Sequence, residues 1–326
     1  MSPKKISTIG VMTSGGDAPG MNPCIRAVVR TAVANQLRVL GIEDGYDGLI
    51  AGRCRPLGIR DVGGILQRGG TILHTSSSEE FRSERGQQKA VRELNNAGID
   101  ALVVIGGDGS LSGASKLAER GILVIGIPAS IDNDIYGTDM CIGVDTALNT
   151  IVDAIDKIRD TATSHNRAFL VETMGRMSGY LAVQAGIVTG AEMILIPEVV
   201  TPVEDVLKVI ETAYIKGKTH CIIVVAEGAL PHTTELAAAI DHMELGFNTR
   251  VTILGHVQRG GKPTAFDRML ASRFGSKAVE FLLAGQSNVM IGLAGNAIYS
   301  VPIHEVVSKQ RILPMDIYEM GRILSQ

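Results

Sequence analysis

The sequence predicts an α/β protein of two lobes with mainly parallel sheets, on three observations. At 326 residues it is about twice an ordinary single domain. Short runs rich in Ile and Val recur along it, each followed by glycines. Amphipathic helical stretches separate those runs, which is the grammar of βα units.

The runs expected to form strands are 6–12, 38–42, 101–105, 123–127, 168–172, 193–196 and 221–226. Between them, 88–97 and 147–158 read as helices; in the second, Leu148, Ile151, Val152, Ile155 and Ile158 follow a helical period. Low-complexity tracts, short repeats and Pro- or Ser-rich linkers are all missing, so composition barely marks a domain boundary. The reading places a break near 140–145, after the loop 128–138, where a helix starts from Asp145.

Composition narrows the function classes. Hydrophobic residues at 45%, charged residues at 20% and a formal net charge of -3 describe an ordinary globular protein with no field for nucleic acid. Cys24, Cys54, Cys141 and Cys221 show no C-x-x-C spacing, so they are read as reduced and structural, without zinc or disulfides. Lys4 and Lys5 precede an apolar run that is short, broken by Ser7 and Thr8, and followed by Asp17, so no signal peptide is expected there. No stretch reaches the roughly twenty apolar residues of a membrane span, and a cytoplasmic protein is expected.

In open parallel sheets, ligands bind at the carboxyl ends of the strands, so the loops there are read for chemistry. The first is Thr13-Ser14-Gly15-Gly16-Asp17-Ala18-Pro19-Gly20, with Asn22 expected as helix N-cap and Pro23 at the first helical position. Its glycines suit a phosphate, and taken alone they suit a tight turn better. The run 101–105 leads into Gly106-Gly107-Asp108-Gly109-Ser110, a second phosphate candidate; Gly113 falls one residue late for a dinucleotide fingerprint, and no Walker A loop occurs. The run 123–127 leads into Ser130-Ile131-Asp132-Asn133-Asp134, whose carboxylates suit a base and a metal ligand, or merely an Asx-type turn. Farther on, Met174-Gly175-Arg176, His256-Val257-Gln258-Arg259, Arg167 and Arg250 supply cations and donors that suit a phosphate ester.

Taken together in this order, the loops resemble the bacterial phosphofructokinases over residues 9 to at least 278. The resemblance implies two Rossmann-like lobes: an ATP-binding lobe of 1–142 with about 257–307, and a fructose 6-phosphate-binding lobe of 143–256 with about 308–326. It implies ATP-dependent phosphorylation of the sugar's C1 hydroxyl, with Asp132 as general base, Asp108 and Asp134 holding Mg²⁺, and Ser130 and Arg176 steadying the phosphoryl group. Gly15, Tyr46, Ser77, Ser78, Arg82, Gly107, Asp108, Gly109, Ser110 and Gly113 would shape the nucleotide site. Ser130, Ile131, Asp132, Met174, Gly175, Arg176, Glu227, His256, Val257, Gln258 and Arg259 would hold the sugar phosphate. Arg167 and Arg250 look like residues donated by a neighbouring subunit of a homotetramer. An effector site for ADP or phosphoenolpyruvate would use Arg26, Arg30, Arg159, Glu192, Lys216, Lys218 and His220.

Relatives that use pyrophosphate carry an aspartate where this chain has Gly109 and a lysine where it has Ala129. Like charges at about 4 Å repel by about 4 kcal/mol at an effective dielectric of 20, so both markers point to ATP. The chain departs from the family at Ser77, where an arginine is usual, and at Ile59, an effector arginine whose neighbour is Arg60. Arg82 and Arg176 are the replacements for the first that the sequence offers. Competing readings are a pyrophosphate-dependent enzyme, a lipid or NAD kinase, and a sugar-phosphate sensor without chemistry.

Overall fold

The computed structural model describes residues 6–165, 167–241, 243 and 247–325; Lys4 and Lys5 lie outside them. The strands are β1 (Thr8–Ser14), β2 (Arg38–Ile42), β3 (Cys54–Pro56), β4 (Ala101–Gly106), β5 (Leu123–Pro128), β6 (Arg167–Thr173), β7 (Met193–Leu195), β8 (His220–Ala226), β9 (Asn248–Ile253), β10 (Val289–Ala294) and β11 (Ala297–Pro302). The chain forms two compact units, Met1–Thr146 with Arg259–Arg311, and Ala147–Gln258 with Ile312–Gln326.

The sheet of the first unit has the order β11-β10-β5-β4-β1-β2-β3. Its central strands β1 and β4 are buried at every position, as expected of a parallel sheet covered on both faces. Parallel pairing sets Ser14 level with Gly106, and Gly106 level with Pro128, so the loops after β1, β4 and β5 leave the sheet side by side. The flanks are antiparallel: β3 pairs with β2, and β10 with β11.

The first helix, Met21–Ala34, starts from Gly20 at φ 117, where a Cβ would come within 2.4 Å of Ile142. Gly20, and not Asn22, is therefore the N-cap. Asn22 is buried inside the first turn, donating to the carbonyls of Arg68 (3.2 Å) and Gly69 (3.1 Å) and accepting from the Ile72 N–H (2.8 Å). It ties the Arg68-Gly69-Gly70-Thr71 turn to the helix.

The helix Ala265–Leu283 packs closely on Met21–Ala34, since a Cβ at Gly275 would lie 2.6 Å from the Cys24 carbonyl oxygen. From its first turn the fully buried Asp267 accepts hydrogen bonds from the Gly143 N–H, the Thr146 N–H and the Thr146 hydroxyl at 2.8, 2.8 and 2.5 Å. By accepting from them, Asp267 caps the start of the long helix Val144–His165. Burial pushes the Asp267 carboxyl up to about 6, against the donors that favour its charge.

The second unit holds a parallel sheet in the order β7-β8-β6-β9. Thr173 at the end of β6 pairs with Ala226 at the end of β8, and Arg167 pairs with His220 at the other ends.

Cys24, Cys141 and Cys221 are buried free thiols; burial raises all three, Cys221 to about 12, so they stay protonated. Cys54 departs from expectation, being exposed on the edge strand β3. Among the described residues no helix is long and apolar enough to cross a membrane. Asp267→Ala should leave three buried donors without an acceptor and lower unfolding stability by about 3 kcal/mol; urea denaturation reads this directly, and an unchanged midpoint would refute the capping role.

Candidate active site

The level register of β1, β4 and β5 puts Gly15, Asp108 and Asp132 on loops along one edge of the first unit's sheet. Gly15 sits at φ 79, and a Cβ there would meet the Ser110 hydroxyl at 3.0 Å. A Cβ at Gly106 would strike the Ser14 carbonyl at 2.5 Å. These glycines let adjacent loops close on each other.

Asp108 opens the helix Asp108–Glu119 and is exposed beside Gly109, where a Cβ would meet no atom within 4 Å. Ser110, by contrast, is buried, and its carbonyl accepts from the Tyr46 hydroxyl at 2.7 Å. Tyr46 is only 5% exposed, stacks on Phe81 with ring centroids 4.0 Å apart, and presses on Gly113. It shapes the loop from beneath instead of facing a ligand.

In the loop after β5, the Ser130 hydroxyl accepts from the Asp132 N–H at 3.2 Å and donates to Asp134 at 3.4 Å. Ile131 and Asp132 are buried, whereas Ser130 and Asp134 are partly open. Asn133, which sequence reasoning left without a role, holds the loop: at φ 50 it accepts from the Cys141 N–H (3.0 Å) and donates to the Asp139 carbonyl (3.2 Å). Its position between two acidic residues was the only signal available.

Ser77 is exposed on the segment after the Arg68–Thr71 turn, and Ser78 accepts from the Phe81 N–H at 3.2 Å. Arg82 is exposed, 3.3 Å from Glu79. Arg259 belongs to this unit as well, with its guanidinium against Gly16.

The second unit carries its own constellation. Met174, Gly175 and Arg176 follow β6 in a tight turn, with Gly175 at φ 138 and Arg176 at φ 52. Glu227, just after β8, accepts from the backbone N–H groups of Gly175 (3.1 Å) and Arg176 (2.6 Å). Gln258, fully buried, accepts from the Met174 N–H at 3.2 Å and donates to the Gly255 carbonyl at 2.9 Å. His256 and Val257 remain exposed on the same short helix, Gly255–Arg259.

Arg167 lies elsewhere. It starts β6, whereas Met174 follows its end, a separation of roughly 20 Å along a strand of this length. Arg250 lies on β9 opposite Phe169, with its guanidinium donating to the Thr249 carbonyl at 2.8 Å. The amino ends of the second unit's strands gather other residues. Glu192 pairs with Lys218 at 3.1 Å and accepts from the Ile222 N–H, the Arg159 guanidinium donates to the Thr189 carbonyl, and His220 meets the Thr163 hydroxyl at 3.1 Å. A cleft of about 570 Å³ opens there, lined by Glu192, Lys216 and Lys218 and also by Lys208, Tyr318 and Arg322, which the sequence reading missed. In the first unit, Arg26 is half-buried and Arg30 exposed on Met21–Ala34, and Ile59 is exposed beside Arg60.

The profile of the family described as Phosphofructokinase matches residues 8–282. Among curated relatives, an ATP-dependent 6-phosphofructokinase of Thermotoga neapolitana is 54% identical over 320 residues, covering 97% of this chain and 99% of its own. One of the same name from Natranaerobius thermophilus is 53% identical over 317 residues, with the same coverage. A solved phosphofructokinase of Saccharomyces cerevisiae superposes with a TM-score of 0.86 at 40% identity, over 93% of this chain and 45% of that one.

A Cβ at Gly113 would stand 2.6 Å from the Tyr46 ring, so Gly113→Ala should destabilise by about 1–3 kcal/mol although alanine is the better helix former. A urea midpoint at or above that of the parent would show that Tyr46 yields freely.

Proposed function

Since the chain belongs to the phosphofructokinase family, we propose that it transfers the γ-phosphoryl group of ATP to the C1 hydroxyl of fructose 6-phosphate, giving fructose 1,6-bisphosphate in glycolysis. The observation that carries this reading is the edge on which the Gly15, Asp108 and Asp132 loops emerge from three neighbouring parallel strands. Backbone N–H groups after β1 and at the start of Asp108–Glu119 suit phosphate oxygens.

Asp132 is the general base that takes the proton of the sugar hydroxyl, a role worth about 10²- to 10⁴-fold. The Ser130 hydroxyl bonded to its N–H orients it. Asp108 and Asp134 suit Mg²⁺, which typically binds through one or two carboxylates plus substrate phosphates and keeps several waters. When bound, Mg²⁺ would neutralise charge on the phosphates.

The turn Met174–Arg176, held by Glu227 and Gln258, suits fructose 6-phosphate together with His256 of the same unit. Arg167 lies at the far end of β6 from that turn; with Arg250 it is assigned by the family resemblance to a neighbouring subunit of a homotetramer. The cationic cleft at Lys216 and Lys218 supports an effector site for a phosphorylated ligand such as ADP or phosphoenolpyruvate. Arg26 and Arg30, on the first unit, are assigned to effector binding by the family resemblance alone. Substrates of this kind fit an enzyme of the cytoplasm.

Asp132→Asn should lower kcat at least 100-fold in a coupled assay with ATP and fructose 6-phosphate while the melting temperature holds; turnover within tenfold of the parent would remove Asp132 as base. Open space beside Gly109 means that Gly109→Asp should fold normally and raise the KM for ATP more than tenfold, with pyrophosphate as the control donor.

A further inference from the structure

Resting on the kinase reading above, we propose that Arg311 is a positioning residue for the acidic loop, holding Asp132 and Asp134 in working geometry through a carbonyl that its guanidinium shares with Asn133. The loop closes on itself: Ala129 bridges to Ile142 at its base, and Asn133 reaches across to Cys141 and Asp139. Asn133 is buried, stands at φ 50 and lies between the two carboxylates in sequence, so its orientation carries over to both. A base must meet its hydroxyl within hydrogen-bond reach, and a misplacement of about 1 Å can cost about 10²-fold.

The far side of the loop is docked on the edge hairpin of β10 and β11. The Tyr299 hydroxyl donates to the Gly137 carbonyl at 2.9 Å, the Leu293 N–H to the Thr138 hydroxyl at 3.1 Å, and the Asp139 N–H to the Leu293 carbonyl at 2.8 Å. The Asp139 carboxylate accepts from the Gly295 N–H at 2.7 Å. A Cβ at Gly292 would lie 2.3 Å from the Gly137 carbonyl oxygen, so only glycine allows this approach. Beyond the helix Ile303–Ser308 the chain returns to the same surface. Lys309 stands 4.9 Å from the centroid of the Tyr136 ring, and the half-buried Arg311 donates from Nη2 to the Asp139 carbonyl at 2.8 Å.

The Asp139 carbonyl is where this scaffold meets the acidic segment, because it accepts from Arg311 and, at 3.2 Å, from the Asn133 amide. A charged donor on one lone pair fixes the direction of the other, on which Asn133 depends. Arg311 also lies close to the carboxylates. Burial pushes the Cys141 thiol up, Arg311 pulls it down, and Asp134 and Asp132 push it up, so one enclosed sulfur lies within reach of all three charges. A cation on this side offsets the repulsion between two carboxylates two residues apart.

Steady-state kinetics with ATP and fructose 6-phosphate on Arg311→Gln, Arg311→Lys, Asn133→Gly and Arg311→Gln/Asn133→Gly test this role. Arg311→Gln should lower kcat about tenfold, with the KM for each substrate within about threefold of the parent. Arg311→Lys should retain at least about a third of the parent kcat, because one N–H meets the carbonyl and an ammonium can supply it. Asn133→Gly keeps the left-handed backbone while removing the shared contact, and on that background Arg311→Gln should cost less than about twofold more. Arg311→Met keeps the apolar stem without the donor, and it takes the place of Arg311→Gln, with the same expected loss, should the latter fold poorly. An unmoved kcat overturns the proposal, as does a raised KM with kcat held, a lysine variant no better than glutamine, or the same loss with and without Asn133. Turnover of the unmutated enzyme is measured first. Its absence overturns the kinase reading together with the proposal, whereas an active parent and an equally active Arg311→Gln overturn the proposal alone.

Discussion

The parallel hydrogen bonding of β1, β4 and β5 is the constraint from which the rest of the first unit follows. Because Ser14, Gly106 and Pro128 stand level across the ladder, three loops that are far apart in sequence leave the sheet at one edge. A register slip of one residue in any of these strands would turn its side chains to the opposite face and carry its loop away from the other two. The fully buried Ile and Val positions of β1 and β4 make such a slip costly. The chemistry of the acidic loop is thus secured by apolar packing in the strands beneath it.

Small residues at crossing points let that packing come close enough to matter. Gly106 allows the loops after β1 and β4 to touch, Gly113 makes room for Tyr46, and Gly275 lets two helices approach backbone to backbone. Three buried polar side chains each serve a nearby piece of backbone. Asn22 closes the turn at 68–72, Asn133 closes the acidic loop, and Asp267 caps the helix Val144–His165. These amides and carboxylates replace water for backbone groups that the fold hides.

The second unit solves a similar problem with side chains. Glu227 and Gln258 accept three successive backbone N–H groups of Met174, Gly175 and Arg176, which pins a turn whose φ angles at 138 and 52 leave it few other supports. The opposite ends of the same strands collect Arg167, His220, Lys218 and Glu192. One four-stranded sheet therefore carries two chemically distinct edges.

Periodicity and loop order in the sequence determined the α/β class, the central strands and the order of the glycine and acidic loops, because buried parallel strands are continuous apolar runs and their ligand loops are polar interruptions. Less legible were β9, β10 and β11: Asn248–Ile253 and Ala297–Pro302 mix polar and apolar residues, and Val289–Ala294 is part of an edge hairpin. Asn22 looked like a cap by residue type, yet Gly20 takes that place because the chain must turn at positive φ. Tertiary structure alone decided that Tyr46 works from within the core, that Lys208 and Arg322 join the cleft at Lys216, and that Arg259 lies on Gly16. Each of these depends on contacts between residues distant in the chain, and a linear pattern carries no record of such distances.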